Sequence, residues 1–238
     1  MRTALVTGGA RGIGREISKA LAARGVRVLI HYNKSAEAAQ ELAKELGTTA
    51  FGADISKPEQ VINMARKAEE AFGGVDILVN NAGIAMQKML CDTTLEDWDR
   101  IFNINMRGAY LLTCELMGGM VRRKYGRIVN ISSIWGEVGA SCEVAYSASK
   151  AALIGFTKAL AKELSLSGIC VNCITPGVID TEMNAVIEPE IMEALAGEIP
   201  LGRIGRSCEV ADCAAFLCSE QARYITGQVL AVNGGMNM

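Results

Sequence analysis

The chain has 238 residues, half of them hydrophobic, with 25 glycines, 4 prolines and a formal net charge of -2. That balance excludes a disordered chain, gives ample material for one core, and leaves no broad basic field to attract nucleic acid. No uncharged apolar run approaches the roughly 18 residues a membrane span needs, and the N-terminus lacks a secretory pattern, so a cytoplasmic protein with no membrane association is expected.

Apolar runs that read as strands alternate with amphipathic helical stretches along the chain. The expected strands are Ala4 to Thr7, Val26 to Tyr32, Thr48 to Phe51, Ile77 to Asn80, Ile128 to Ser132, Ile169 to Ile174 and Val229 to Val232. Several are nearly continuous hydrophobic runs, as in a sheet covered on both faces. Expected helices cover Gly14 to Arg24, Ser35 to Leu46 and Lys57 to Phe72, the last with Ser56 as cap and Pro58 in its first turn. Thr94-Leu95-Glu96-Asp97 is a helix start for a long stretch reaching Tyr125, and a further helix runs from about Ala145 to Ser165. Regular alternation predicts an α/β fold: a doubly wound parallel sheet in three layers, α/β/α, forming one domain over residues 1–238. The least regular stretch, Thr181 to Arg206, follows a late strand and is the expected lid over a substrate.

The eight cysteines suggest neither disulfides nor metal. Cys170 and Cys173 form a C-x-x-C, but residues three apart on a strand face opposite ways. His31 is the single histidine, and no second ligand cluster accompanies it. Free, mostly buried thiols and no metal are expected.

Gly8, Gly12 and Gly14 follow the first strand and open the first helix. Glycines let the backbone approach a pyrophosphate, and a helix N-terminus favours its charge. Arg11 and Ile13 complete the turn. An acid about 20 residues further on would select an unphosphorylated ribose. Here the second strand ends His31-Tyr32-Asn33-Lys34-Ser35, with no acid before Glu37. Arg11 is expected to project to the same place. Arg11, Asn33, Lys34 and Ser35 therefore read as contacts to a 2′-phosphate, and the cofactor as NADP(H).

Tyr146 and Lys150 lie four apart on one helix face. An ammonium beside a phenol lowers a pKa that is ordinarily near 10, so the tyrosine can serve as general acid in a reduction and general base in an oxidation. Ser132 and Ser133 end the fifth strand just upstream, and one of them can donate to a substrate oxygen. A hydrolase is disfavoured, because no Gly-x-Ser-x-Gly elbow is present and His31 is remote from both serines.

The set Thr7-Gly8-x-x-x-Gly12-x-Gly14, Asp54, Asn80-Asn81-Ala82-Gly83, Asn105, Ser133, Tyr146-x-x-x-Lys150 and Pro176-Gly177 resembles the short-chain dehydrogenase/reductase family, in order, over the whole chain. The resemblance implies a Rossmann-like domain with a seven-stranded sheet. It also implies that Ser133 polarises a carbonyl, Tyr146 donates the proton, Lys150 holds the nicotinamide ribose, and Asn105 anchors a relay water. Asp54 and Ile55 would border the adenine. Asn81, Ala82 and Gly83 would line the cofactor, and Pro176, Gly177, Val178 and Thr181 would flank the nicotinamide.

Within the family, Tyr125 to Ser133, Ile154 to Lys158, Ile199 to Arg203 and Ile225 to Val229 are similar to 3-oxoacyl-acyl-carrier-protein reductases. These reduce the 3-ketone of an acyl thioester with NADPH, usually as homotetramers paired through the helices carrying Asn105 and Tyr146 and through the C-terminal strand, so the resemblance implies a carrier-bound or small-molecule ketone as substrate. Two features depart from that branch. Ser167 stands where those enzymes tend to carry a basic docking residue, and the Trp135 to Val144 loop resembles that of reductases acting on the 5-aminopentanone group of elongation factor P. An acid such as Glu137 or Glu143 would suit a substrate amine, with Trp135 as a wall. A non-enzymatic, NADP-binding regulatory protein is a third alternative.

Overall fold

The computed structural model describes residues 1–182, 184 and 188–238, so part of the expected lid lies outside the described residues. All seven expected strands form: β1 (Thr3–Val6), β2 (Arg27–Tyr32), β3 (Thr49–Gly52), β4 (Ile77–Asn80), β5 (Gly126–Ile131), β6 (Ile169–Pro176) and, as the last strand of the chain, β9 (Val229–Val232). They make one parallel sheet in the order β3-β2-β1-β4-β5-β6-β9. The order reverses between β1 and β4, which opens a crevice at their carboxyl ends.

Strand alternation divides the core into two layers. Ala4 and Val6 of β1 face one cluster, with Ile17 and Leu21 of α1 (Gly12–Ala23) and Leu42 of α2 (Ala36–Glu45). Leu5 faces the other, with Val61 of α3 (Pro58–Phe72), Leu112 and Leu116 of α5 (Gly108–Arg123) and Leu160 of α7 (Val144–Leu164). Helices on both faces explain why these strands read as unbroken apolar runs. The Rossmann-like three-layer fold expected from the sequence is the one observed.

Several local expectations are corrected. Ser56 does not cap α3: its N–H and hydroxyl both donate to the Asp54 carboxylate, and Lys57 holds the cap position. The stretch from Thr94 to Tyr125 is not one helix. Thr94 and Asp97 do form the capping box that opens α4 (Leu95–Phe102). A π-helical turn, Asn103–Arg107, then separates α4 from α5. Such wide turns are common at functional sites, and this one carries Asn105. Trp135–Val138 forms a short helix, α6, rather than open loop.

The lid stretch is more regular than expected. It includes α8 (Pro189–Glu198), and its two ends meet in a small parallel pair, β7 (Ile179–Asp180) with β8 (Gly205–Arg206). A helix missed from the sequence, α9 (Ser207–Leu217), buries Val210 and Ala214 beside Ile17 and Leu21. All eight cysteines are free, but only Cys170, Cys173 and Cys218 are buried; Cys91 and Cys114 are exposed. The exposed pair sits on solvent-facing turns of helical segments, which sequence hydrophobicity does not reveal.

The carboxyl ends of β1 and β4 are tied by one hydroxyl. Thr7 Oγ1 donates to Val79 O at 3.2 Å and accepts from Asn81 N and Ala82 N, each at 2.9 Å. Thr7→Val keeps the shape but leaves the Ala82 N–H without its acceptor. A buried donor left unpaired costs about 1–3 kcal/mol. The variant is expected to lose that much in urea unfolding with an unchanged m-value; an unaltered midpoint would show the hydroxyl to be dispensable.

Candidate active site

The glycine turn runs from the end of β1 into α1. Gly8 and Gly12 adopt φ values of 61° and 50°, where a side chain is strained. A Cβ on Gly14 would meet the Gly8 carbonyl and the Asn81 amide, so helix and turn can only pack this closely as glycine. Asn81 secures the turn by donating from Nδ2 to Thr7 O at 2.9 Å. His31 secures it from β2. Its Nδ1 accepts from Gly8 N at 3.1 Å while Nε2 lies 2.9 Å from Ala53 O. A carbonyl only accepts, so Nε2 carries the proton. Burial holds the His31 pKa below its usual value, which keeps the ring neutral. Spacing alone assigns His31 no role in holding the turn; its place on β2 beside the turn is the available signal.

The turn fits a dinucleotide pyrophosphate. Arg11, at the N-cap of α1, makes no side-chain cap. Beyond Gly12 the space is open except for Thr181, 3.6 Å from where a Cβ would stand. Helix N–H groups facing an open glycine surface suit a phosphate. Asn33 and Lys34 are exposed just past β2, and Ser35 is half-buried at the start of α2. Arg11 does not join them. Its guanidinium turns to the lid and pairs with Glu182 at 2.9 Å. The Asp54 carboxylate is committed to Ser56, which holds its pKa low. Ile55 is buried and packs where a Cβ on Gly108 would stand.

The residues expected to transfer a proton meet at the carboxyl ends of β4 and β5. Tyr146 and Lys150 share a buried face of α7. Lys150 Nζ donates to Ile131 O at 2.9 Å and lies 5.7 Å from the Tyr146 ring centre. A Cβ on Gly83 would come within 3.2 Å of Lys150 Nζ and of Asn105 Oδ1, so that glycine leaves room for both. Asn105 is buried in the π turn. Its Oδ1 accepts from Ile84 N at 2.9 Å, and its Nδ2 donates to Ile84 O and to Ser149 Oγ, each at 3.0 Å. Its side chain thus fixes the segment after β4.

The two serines separate cleanly. Ser132 Oγ is spent on Lys150 O at 2.8 Å and pins α7 to β5. Ser133 accepts from Trp135 N at 3.2 Å and lies beside the Tyr146 phenol. Of the pair, Ser133 is the one placed to meet a substrate oxygen. The two candidate acids separate as well. Glu137 is exposed and accepts from Asn237 at 3.0 Å. Glu143 is half-buried, its charge reaches Tyr146, and burial raises its own pKa.

The expected drop in the Tyr146 pKa is not what the structure shows. Burial pushes it up to about 12, with Ser133 pulling it down and Glu143 pushing it further up. Lys150 is instead lowered to about 8, because its ammonium is buried. Both shifts follow from desolvation, which disfavours either charged form. The phenol therefore keeps its proton at neutral pH, as a general acid must.

Pro176, Gly177 and Val178 continue β6 into the cleft floor. Ile134 N bonds Pro176 O at 2.9 Å, and Gly177 N bonds Val232 O at 3.0 Å, so this segment ties β9 to the loop after β5. Two cavities lie apart from Ser133, Tyr146 and Lys150. One of about 880 Å³ lies at the opposite, amino edge of the sheet, lined by Arg127, Cys170 and Tyr224. Another of about 170 Å³ lies behind Ile84, against Asp97 and Arg100. Among the described residues no helix is long and apolar enough to cross a membrane.

A parallel sheet with a glycine turn at the order reversal, and a Ser-Tyr-Lys set beside it, defines a dinucleotide-dependent oxidoreductase. The family model described as "Enoyl-(Acyl carrier protein) reductase" matches residues 8–237. The chain is 45% identical over 242 residues to a 3-oxoacyl-acyl-carrier-protein reductase of Aquifex aeolicus, covering 99% of this chain and 97% of that one. It is 45% identical over 235 residues to an acetoacetyl-CoA reductase of Rhizobium meliloti, with 98% of each covered. It is 44% identical over 238 residues to the uncharacterized oxidoreductase YmfI of Bacillus subtilis, again with 98% of each covered. The chain belongs to the short-chain dehydrogenase/reductase family, and is an oxidoreductase acting on a CH-OH/C=O group with a nicotinamide cofactor.

The buried ammonium makes stability depend on pH. Below about 8 Lys150 is charged in both folded and unfolded chains, and its full burial penalty applies. Between about 8 and the ordinary 10.5 the folded chain has shed a proton that the unfolded chain retains, so stability rises with pH. Lys150→Met is expected to be more stable than the parent at pH 7, by on the order of 3 kcal/mol. That advantage should shrink through the same window, as read by denaturant titration at each pH. A constant difference from pH 7 to 10.5 would contradict the shift.

Proposed function

We propose that this chain is an NADPH-dependent reductase that converts the ketone of a 3-oxoacyl thioester to a secondary alcohol. The observation carrying the proposal is the convergence of Ser133, Tyr146 and Lys150 beside Gly83. The thioester rests on what the Aquifex and Rhizobium relatives are named for. The dinucleotide, when bound, supplies the hydride. Ser133 donates a hydrogen bond to the carbonyl oxygen as charge grows there. Tyr146 hands its proton to that oxygen, and Lys150 stabilises the phenolate left behind. Asn105 acts through position: it locks Ile84 and Ser149 so that the proton path at Lys150 stays open.

The phosphorylated cofactor is supported by the absence of any acid from Asn33 to Ala36, with Lys34 and Asn33 exposed at that end. Gly8, Gly12, Ile13 and Gly14 would hold the pyrophosphate, and Arg11, Asn33, Lys34 and Ser35 the 2′-phosphate. Ala82, Pro176, Val178 and Thr181 would line the nicotinamide half. A single domain of 238 residues and a homotetramer complete the reading. Tyr110 is exposed on α5, and Gly155 of α7 has nothing within 4 Å, so both long helices present outer faces on which another copy can pack.

Tyr146→Phe should lower kcat for acetoacetyl thioesters by about 10²–10⁴ while NADPH affinity stays within a factor of about two. Turnover at the parent rate would remove Tyr146 from the chemistry, and a preference for NADH would reject the phosphate assignment.

A second substrate, a ketone bearing an amine, is favoured by Glu143. This carboxylate is half-buried beside Tyr146 and has no ion-pair partner among the described residues. A substrate ammonium would supply the missing countercharge. Glu143→Gln would then reduce kcat/KM for an amino-ketone about 10- to 100-fold more than for acetoacetyl thioesters, the range for a hydrogen bond to a charged group. Equal effects on both substrates would leave the thioester as the substrate.

A further inference from the structure

The Arg11 guanidinium, assigned above to the 2′-phosphate, already has an anion. Its Nη1 lies 2.9 Å from the Glu182 carboxylate, and the two side chains are 58% and 63% exposed. They come from opposite sides of the cleft: Arg11 from the glycine turn, Glu182 from the lid just past β7. Thr181 lies over Gly12 at the same crossing. The lid root has other fastenings. β7 pairs with β8, Ser207 Oγ donates to Asp180 O at 3.2 Å, and Asn184 Nδ2 donates to Ile179 O at 2.8 Å. Glu182 is therefore not needed to hold the root, and its carboxylate is spent on the only cation of the turn from Gly8 to Gly14.

We propose that Glu182 is a specificity-determining residue: it is the resident counter-ion of Arg11, and a phosphorylated dinucleotide binds by exchanging its 2′-phosphate for that carboxylate. The inference rests on the assignment of Arg11 to the 2′-phosphate. A phosphomonoester brings nearly two charges and three acceptor oxygens to a guanidinium, so it displaces a single carboxylate. An unphosphorylated dinucleotide offers no anion there and leaves the pair intact. Glu182 thus lowers affinity for the phosphorylated form alone. An exposed pair of this kind corresponds to a factor of about two to five in binding.

The test is equilibrium binding of NADPH and NADH to the free protein, read by nicotinamide fluorescence. Glu182→Gln should tighten NADPH about two- to fivefold, leave NADH unchanged, and lose its effect in 1 M salt, where exposed charges are screened. Glu182→Asp keeps the charge and should bind like the parent. In an Arg11→Gln background, Glu182→Gln should change nothing. Unchanged or weaker NADPH binding by Glu182→Gln overturns the proposal. So does equal tightening without Arg11, which would mean a general charge effect. If Arg11→Gln alone weakens NADPH and NADH equally, the assignment of Arg11 to the 2′-phosphate fails instead, and that result is separate from the behaviour of Glu182.

Discussion

The site is built around one unfavourable placement: a buried ammonium, held by the carbonyl at the end of β5. Lys150 Nζ is fully buried and bonded to Ile131 O. Its surroundings are shaped to admit it. Gly83 faces the amine, and Gly136 packs against its backbone, where a Cβ would stand 2.8 Å from Lys150 C. Ser132 clamps the Lys150 carbonyl. Removing solvent from a lysine makes its proton easier to lose, and the same burial makes the Tyr146 proton harder to lose. The phenol and the amine, nearly matched in water, are therefore drawn apart: the phenol is raised to about 12 and the amine lowered to about 8, so the phenol holds its proton the more tightly.

The sheet supplies the precision. Asn80 Nδ2 bonds Asn130 Oδ1 at 2.8 Å, and Asn130 Nδ2 bonds Thr157 Oγ1 at 2.8 Å. This chain of buried amides crosses from β4 to β5 and on to α7, the helix bearing Tyr146 and Lys150. Buried polar networks of this kind fix one arrangement because every alternative leaves donors unpaired. Thr7, Asn81 and His31 do the same for the glycine turn. Two polar braces therefore meet at the carboxyl ends of β1 and β4, one under the dinucleotide side and one under the proton-transfer side.

Much of this was legible in the sequence because it is periodic or local. Strands buried on both faces read as apolar runs, and Tyr146 and Lys150 share a helix face by spacing alone. Thr94 and Asp97 signalled a cap, and they form one. What was illegible depends on direction. Ser132 and Ser133 are neighbours with the same side chain, and only the end of β5 decides that one faces α7 and the other the cleft. Glu137 and Glu143 are six apart in one loop, and only the path of the C-terminal tail shows that Asn237 occupies the first. Arg11 looked like a partner for Lys34, but the lid offers it a carboxylate first. The π turn was hidden because helical periodicity looks continuous across a single wide turn. The shift of Tyr146 was misjudged because spacing reports a neighbour's charge and says nothing of the water lost around it.

Chemistry and selectivity are consequently held in different environments. The residues proposed to move a proton, Ser133, Tyr146 and Lys150, are buried, and Lys150 is bonded to the end of β5. Glu143 and Glu182, the acids proposed to meet ligands, are half-buried or exposed and belong to connecting segments. Neither is part of the braced core, so each can be exchanged at little cost to folding. On the proposed reading, the carboxylate near Tyr146 would weigh the charge of the ketone's far end, and the carboxylate on Arg11 the charge of the dinucleotide's ribose. On the same reading, one Ser-Tyr-Lys set would serve an acyl thioester or an amino-ketone according to the charge at Glu143, while Glu182 would bear on the dinucleotide alone.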